Sequence, residues 1–168
     1  MPDRAIDPTL WYFAYGSNVD PRTFLGRRGM RPHEACVAQL EDYELRFDLP
    51  IGPGERGVAN VGRRAGSRIW GMAYRLTLAD AARLDRTEGV HRGFYRRVTV
   101  APRTREGLAL SAFTYHSPRG RAGRKPSRRY LGMLLSGARH HGLPAEWMEH
   151  LRGLPLARDE RDRQLPLL

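Results

Sequence analysis

Apolar and polar residues along the chain follow patterns that predict a set of short strands. Residues 11–15 (WYFAY) are all apolar or aromatic, which is typical of a strand buried on both faces. Between residues 45 and 49, apolar and charged side chains alternate, and this period of two predicts a half-buried strand. Similar patterns predict strands at residues 36–40, 58–61, 68–76, 94–100 and 108–115, with turns at residues 62–67 and 102–107.

Apolar residues at spacings of three and four predict helices between and after these strands. They are expected at residues 21–29, 77–88 and 127–141, with a last short helix after residue 143. The second helix has the clearest ends. Thr77 and Asp80 form an approximate capping box at its start, and Gly89 suits the position just past its last residue, Glu88.

Most of the predicted strands follow one another without an intervening helix, which argues against a doubly wound parallel sheet. We therefore predict an α+β fold in which helices flank a small mixed or antiparallel β-barrel. At 168 residues the chain fits a single domain with a hydrophobic core. That core is expected over residues 10–154, with loosely ordered residues before it and in the charged tail at 156–168.

The composition indicates in which part of the cell the protein is found. Hydrophobic residues make up 40% of the chain, but no stretch approaches the roughly twenty apolar residues of a membrane span. The first residues carry charges and prolines without a following apolar run, so they resemble neither a signal peptide nor a membrane anchor. Cys36 is the only cysteine, which excludes an intrachain disulfide. We expect a cytoplasmic protein that does not contact a membrane.

The formal net charge of +11 raises the question of nucleic acid as a partner. The dense basic stretch is residues 119–129, where six of eleven residues are basic, and the other arginines are scattered. A basic nucleic-acid-binding protein is one interpretation. However, no recognition motif is present, and aromatic residues are not interleaved with the basic stretch as base stacking requires. We prefer a solvated, arginine-rich surface and expect no nucleic-acid partner.

The strand at residues 11–15 stops at a polar loop with the features of an anion site. Gly16 reaches backbone angles closed to other residues, and Ser17 and Asn18 favour turns. The Asp-Pro pair that follows favours a helix start. A strand, a tight loop and a helix start within about ten residues aim several backbone N–H groups into one small space, which suits an anion or a developing oxyanion. The alternative is a simple tight turn.

Glu88 is a second candidate for chemistry. A carboxylate at the C-terminal end of a helix faces the negative end of the helix dipole, which disfavours its charged form and raises its pKa. Partial burial would raise the pKa further and make the group a base near neutral pH. The alternative is a solvated glutamate at a helix end.

Three segments, taken in their order and spacing, resemble the γ-glutamylcyclotransferase family. They are YGSN at residues 15–18, the EGV-x-x-G-x-Y segment that begins at Glu88, and the segment from Tyr130 to HGLP. The resemblance runs from about residue 10 to residue 154. Family members that degrade glutathione carry a different residue after YGS. The chain therefore looks closer to the branch that acts on γ-glutamyl amino acids or γ-glutamyl amines.

The resemblance implies a fold, a reaction and a set of residues. Family members have a small mixed β-barrel with surrounding helices and release 5-oxoproline without a metal or an organic cofactor. By resemblance, Glu88 is the catalytic base, which takes the α-ammonium proton and later returns a proton to the leaving amine. The residues expected to bind substrate are Tyr15, Gly16, Ser17, Asn18, Tyr95 and Tyr130.

These binding residues have different expected roles. The backbone of residues 15–18 would hold the glutamyl carboxylate or the γ-oxygen, and Tyr130 would donate a hydrogen bond at the pocket edge. Tyr95 would line the same cavity, although a tyrosine of a core strand is an equal alternative. The expected partner is a small γ-glutamyl substrate, and the leaving amine and a homodimer both stay open.

Two features depart from the family pattern. Val19 follows YGSN where a longer aliphatic side chain or methionine is more usual. The basic stretch at residues 119–129 is richer in arginine than the resemblance requires. It is either a solvated loop or an arginine-lined mouth suited to an acidic leaving group. An alternative function with the same chemistry is removal of a γ-glutamyl protecting group in a specialised biosynthetic pathway.

Overall fold

The computed structural model describes residues 7–158, which form a six-stranded mixed sheet with helices packed around it. The predicted α+β class is therefore confirmed. Of the residues expected to be loosely ordered, 1–6 and 159–168 lie outside the described residues.

Six strands and three α-helices make up the described residues. The strands are β1 (Thr9–Ala14), β2 (Glu34–Pro50), β3 (Gly57–Thr77), β4 (Arg96–Val100), β5 (Arg103–Thr104) and β6 (Ala112–His116). The helices are α1 (Leu78–Thr87), α2 (Arg128–His141) and α3 (Ala145–Arg152), with shorter helical turns at Ser17–Val19, Arg22–Arg27 and Val90–Arg92. All three longer helices lie where the sequence predicts them, and the helix expected at residues 21–29 is a short π-helical turn.

The sheet has the strand order β4-β6-β1-β3-β2-β5. β1 lies inside the sheet, antiparallel to β3 and parallel to β6. Among the described residues this order has two ends, β4 and β5, so hydrogen bonds do not close the sheet and the predicted barrel describes it only loosely. Because β1 has a neighbouring strand on each side, the loop that follows it begins between β3 and β6.

Two long strands replace the four short strands predicted between residues 36 and 76. β2 and β3 form an antiparallel hairpin that extends from Glu34, opposite Arg75, to Pro50, opposite Gly57. The turn predicted at residues 62–67 is wrong. That segment is an irregularity within β3 where the register shifts across Asp42, which has a φ of 63° and accepts a hydrogen bond from the Gly66 N–H at 3.0 Å. Pairing on both sides of this irregularity overrides the local turn preference.

Smaller differences occur in the second half of the sheet. β4 begins at Arg96 rather than at residue 94, because the Phe94 N–H donates to the Gly89 carbonyl at 3.1 Å and closes a loop instead. β6 begins at Ala112 rather than at residue 108, and the turn predicted at residues 102–107 contains the two-residue strand β5.

An aromatic cluster lies beneath the loop that follows β1. The ring centroids of Phe24 and Tyr74 are 4.1 Å apart, and Phe24 is fully buried. The Tyr74 hydroxyl donates a hydrogen bond to the Asn18 carbonyl at 3.1 Å. The cluster therefore ties the loop to the core by both packing and a hydrogen bond.

Helix α2 packs against the same loop at Gly137. A Cβ atom on Gly137 would lie 2.7 Å from the Val19 carbonyl carbon and 2.8 Å from the Asp20 nitrogen. Both atoms belong to the backbone and cannot move without moving the loop. The absence of a side chain at Gly137 is what lets α2 approach this closely.

We predict that Gly137→Ala lowers the free energy of unfolding by about 1–3 kcal/mol, the usual cost of overpacking a buried contact. Gly132→Ala on the same helix is the matched control, because nothing lies within 4 Å of the Cβ it adds. The control should stabilise the protein by about 0.5–1 kcal/mol through helix propensity. Urea unfolding of both variants checks this, and equal effects would contradict the close approach.

Candidate active site

One cavity brings together every residue predicted to be functional. It lies where the loop after β1 meets the C-terminal end of α1. Its lining residues are Tyr12, Tyr15, Gly16, Ser17, Asn18, Ala59, Glu88, Tyr95, Tyr115 and Tyr130. We call it the Glu88 cavity.

Glu88 enters this cavity from the end of α1. Its backbone N–H still donates to the Leu84 carbonyl at 2.9 Å, and Gly89 then turns the chain away with a left-handed φ of 68°. The predicted helix end is thus confirmed. Only 12% of the Glu88 side chain is exposed. The end of α1 therefore places a mostly buried carboxyl among the cavity-lining residues.

Asn18 and Arg28 hold the Glu88 carboxyl. Asn18 Nδ2 donates to Glu88 Oε1 at 3.0 Å and to Tyr12 Oη at 2.9 Å. Arg28 Nε donates to Asn18 Oδ1 at 2.7 Å, and Arg28 Nη2 lies 3.4 Å from the same Glu88 oxygen. Because a guanidinium group can only donate, the contact with Arg28 fixes which end of the Asn18 amide faces Glu88.

The surroundings of Glu88 change its acidity in two opposite directions. Burial raises the pKa of Glu88 and is the largest cause, whereas the Arg28 charge and the Asn18 hydrogen bond lower it. The net effect is a pKa above the ordinary value for glutamate. This direction agrees with the one expected from the helix end. A carboxyl group shifted in this way is better matched to proton transfer near neutral pH.

We predict that Arg28→Met raises the pKa of Glu88 further, because it removes a cation that favours the carboxylate. NMR titration of labelled glutamate carboxyl carbons measures this directly. Arg27→Met is the matched control, since it removes the same charge from an exposed neighbour. A Glu88 pKa that responds equally to both variants, or to neither, would contradict the role given to the contact.

Two tyrosines bind the backbone N–H and the backbone carbonyl of one residue, Ala59, in the Glu88 cavity. The Ala59 N–H donates to Tyr130 Oη at 3.1 Å, and Tyr95 Oη donates to the Ala59 carbonyl at 2.7 Å. Burial raises the pKa of Tyr130 to about 12, so the phenol stays protonated at neutral pH. Tyr130 therefore keeps a hydroxyl proton to donate, although the bond to Ala59 uses it as an acceptor.

The backbone at Gly16 passes close to these tyrosines. A Cβ atom on Gly16 would lie 3.0 Å from Ala59 Cβ and 3.2 Å from Tyr130 Oη. Ser17–Val19 then forms one 3-10 turn, which is closed by a hydrogen bond of 3.1 Å from the Val19 N–H to the Gly16 carbonyl. The first N–H groups of such a turn have no partner inside it. In this loop they belong to Ser17 and Asn18, which both line the cavity.

Tyr12, Arg28, Ala59 and Tyr115 contribute to the site without having been predicted. Tyr12 and Tyr115 lie on neighbouring strands, and only the sheet register brings them to one cavity. The Tyr115 backbone carbonyl accepts a hydrogen bond from the Tyr15 hydroxyl at 2.5 Å. Arg28 reaches Asn18 because the π-helical turn at Arg22–Arg27 returns the chain toward the loop. Apolar strand periodicity was the available signal for Tyr12, and it indicates burial but not a site.

No helix within residues 7–158 is long and apolar enough to cross a membrane. Over that same range, no three histidine, cysteine, aspartate or glutamate side chains cluster closely enough to hold a metal ion.

Comparisons with known proteins give a consistent result. The profile of the AIG2-like family matches residues 68–151. A γ-glutamylcyclotransferase of Mus musculus is 33% identical over 153 residues, which cover 87% of this chain and 79% of the mouse protein. One of Homo sapiens is 31% identical, with 88% and 80% covered. A solved γ-glutamyl cyclotransferase superimposes with a TM-score of 0.81 at 27% identity, covering 91% of this chain and 92% of the other.

Proposed function

This chain belongs to the γ-glutamylcyclotransferase family, and we propose that it converts a γ-glutamyl amino acid or γ-glutamyl amine to 5-oxoproline and the free amine. The observation that carries the proposal is the position of Glu88. A mostly buried carboxylate lies in the same cavity as the amide-rich loop at residues 15–18. Cyclisation of a γ-glutamyl amide needs one base and one group of N–H donors.

The reaction needs little more than correct folding of the substrate. A γ-glutamyl group carries its own α-amine within ring-closing reach of its γ-carbonyl carbon, so the nucleophile and electrophile belong to one molecule. At neutral pH that amine is protonated and cannot attack. The enzyme must therefore remove a proton, hold the folded substrate and stabilise the charge that develops on the γ-oxygen.

In the proposed mechanism, Glu88 takes one proton from the α-ammonium group. The freed amine attacks the γ-carbonyl carbon, a new C–N bond closes the five-membered ring, and the γ-oxygen becomes an oxyanion. Protonated Glu88 then gives its proton to the departing nitrogen as the original amide C–N bond breaks. The extra proton left on the ring nitrogen passes through the Glu88 carboxylate to the released amine, which leaves as an ammonium ion. No water and no cofactor take part, and Glu88 ends in the ionised form in which it began.

The remaining residues of the Glu88 cavity would bind and orient the substrate. The backbone N–H groups of residues 16–18 suit the γ-oxygen or the glutamyl carboxylate. The hydroxyl proton of Tyr130 is suited to donate to the same oxygen. Tyr95, which is fixed by its bond to Ala59, would limit the cavity and keep the substrate folded.

We predict that kcat/KM falls as the pH drops below the raised pKa of Glu88. The carboxylate is the active form, and a raised pKa moves the acid limb of the profile above about 4.3, the ordinary value for glutamate. Initial rates between pH 4 and 8 measure this limb. A rate that stays constant down to about pH 4 would show that no group with a raised pKa acts as the base.

The proposal is tested by the release of 5-oxoproline from γ-glutamyl amino acids, γ-glutamyl amines and glutathione. Release from the first two classes supports it, and the best substrate identifies the leaving amine. Turnover of a single specialised γ-glutamyl amine would favour the alternative, removal of a protecting group in a biosynthetic pathway. No release from any substrate would contradict the proposed function.

A further inference from the structure

A second cavity opens beside the Glu88 cavity and shares two of its residues. It has a volume of about 380 Å³ and is lined by Glu88 and Tyr95 together with Arg86, His91, Arg92 and Phe94. We call it the Arg92 cavity. In the proposed reaction Glu88 returns a proton to the leaving amine, so that amine must lie beside Glu88. The rest of the leaving group can then extend from Glu88 into the Arg92 cavity.

A closed loop holds the residues at the mouth of this cavity. Gly89 and Gly93 both have a left-handed backbone, with φ of 68° and 70°. The Gly89 carbonyl accepts hydrogen bonds from the Arg92 N–H at 3.0 Å and the Phe94 N–H at 3.1 Å. These bonds fix the backbone that carries Arg92 and Phe94. The mouth is therefore formed before a ligand arrives, which lowers the entropy cost of binding.

Arg119 completes this wall from the basic stretch at residues 119–129. Its guanidinium carbon lies 4.4 Å from the centroid of the Phe94 ring, and its Nη2 donates to the Arg92 carbonyl at 2.9 Å. The first arginine of that stretch thus packs against the mouth. Arg119 is exposed, as the solvated loop preferred from the sequence implies, but it also contacts Phe94 and Arg92.

The arginines at this mouth form no salt bridge with a carboxylate of residues 7–158. Among the described side chains, no carboxylate lies within 4.0 Å of the guanidinium groups of Arg86, Arg92 and Arg119. Asp85, which is next to Arg86 in sequence, forms a salt bridge with Arg97 at 2.8 Å and accepts a hydrogen bond from the Tyr115 hydroxyl at 2.6 Å. An anionic ligand group would therefore meet three exposed arginines that no carboxylate in the described part of the chain pairs with.

We infer that the Arg92 cavity binds the leaving amine and prefers one that carries two carboxylates, as in γ-glutamyl-glutamate. This inference rests on the proposed function and specifies the substrate of the same site. One carboxylate is common to every amino-acid leaving group. A second can bind to Arg86 and Arg92, which line the cavity, and to Arg119, which packs on Phe94 at its edge. The aliphatic carbons that separate the two carboxylates of such a leaving group can lie against the exposed ring of Phe94, on which the Arg119 guanidinium group is stacked.

The test compares γ-glutamyl-glutamate with γ-glutamyl-glutamine, which has nearly the same shape but lacks the second negative charge. Their kcat/KM values are measured at low ionic strength by release of 5-oxoproline. We expect the charged substrate to be better by about tenfold or more, as hydrogen bonds to a charged group allow. The ratio should fall toward one in the double variant Arg92→Gln/Arg119→Gln. Arg152→Gln on α3, which removes one charge far along the chain, should preserve the ratio.

The outcomes separate this inference from the proposed function. Equal kcat/KM for the two substrates, or a ratio that the double variant leaves unchanged, would overturn the assignment of the Arg92 cavity while cyclisation itself stands. Release of 5-oxoproline from neither substrate, while another γ-glutamyl amino acid or γ-glutamyl amine is turned over, would overturn the inference alone. Release from none of these compounds would overturn the proposed function and the inference with it.

Discussion

Glu88→Gln is expected to reduce the release of 5-oxoproline by about 10²–10⁴-fold, the contribution usually made by a general base. Glutamine has the shape of glutamate and can still accept the Asn18 hydrogen bond, but it cannot take a proton from the substrate ammonium group. The loss should appear in kcat, because substrate binding relies on the loop and the tyrosines. Initial rates at saturating substrate measure it.

The same variant should not be less stable than the wild type at neutral pH. The pKa of Glu88 is raised in the folded state, so its favourable contribution to stability is complete at low pH and is lost as the pH rises through that pKa. At neutral pH the buried carboxylate costs stability, and glutamine removes this cost. Thermal unfolding therefore separates loss of chemistry from loss of fold.

Glu149→Gln provides the control, since it makes the same chemical change at an exposed position of α3. It should retain the wild-type rate. A folded Glu88→Gln variant with the wild-type rate would remove Glu88 from the role of base.

Asn18→Asp is the second change with a large expected effect. It places a carboxylate where the Asn18 amide now donates to Glu88 Oε1 at 3.0 Å. Two carboxylates at this distance repel each other when both are ionised, so the pair retains one proton. The pair loses its two protons in two steps, and the pKa of the second step is raised. With the base largely protonated, we expect the rate at neutral pH to fall by about a hundredfold, the lower end of what general base catalysis contributes.

The pH profile distinguishes this effect from simple damage. In Asn18→Asp the acid limb should move to higher pH, and raising the pH should recover part of the lost rate. In Asn18→Ala, which only removes the hydrogen bond, the limb should move in the same direction but less. If the acid limb of Asn18→Asp stays where it is in the wild type, Asn18 and Glu88 do not act as a pair.

The parts of the site that could be predicted from the sequence depend on local signals. Gly89 marks the end of α1 because only a left-handed residue follows such a helix easily, and this places Glu88 at its C-terminus. Gly16 and Ser17 mark the tight loop after an apolar strand. The three segments also match a known family pattern. This match assigns the loop after β1 and Glu88 to one site, although the sequence does not give the distance between them.

The parts that could not be predicted depend on contacts between distant elements. The role of Arg28 requires the π-helical turn to return the chain toward Asn18, and no local pattern encodes this return. Tyr115 reaches the cavity through the pairing of β6 with β1, which are about a hundred residues apart. The long β2–β3 hairpin is not evident from the sequence, because the turn residues at 62–67 are a local signal whereas the cross-strand pairing on both sides of Asp42 is not.

The most direct test of the central claim is to turn over a γ-glutamyl amino acid in water enriched in oxygen-18 and identify the products by mass spectrometry. Cyclisation forms the new bond from the substrate's own amine and uses no water. We therefore predict unlabelled 5-oxoproline and free amine in equal amounts. Glutamate carrying one oxygen-18 atom would instead show attack by water on the γ-carbonyl carbon, and would contradict cyclisation at the Glu88 site.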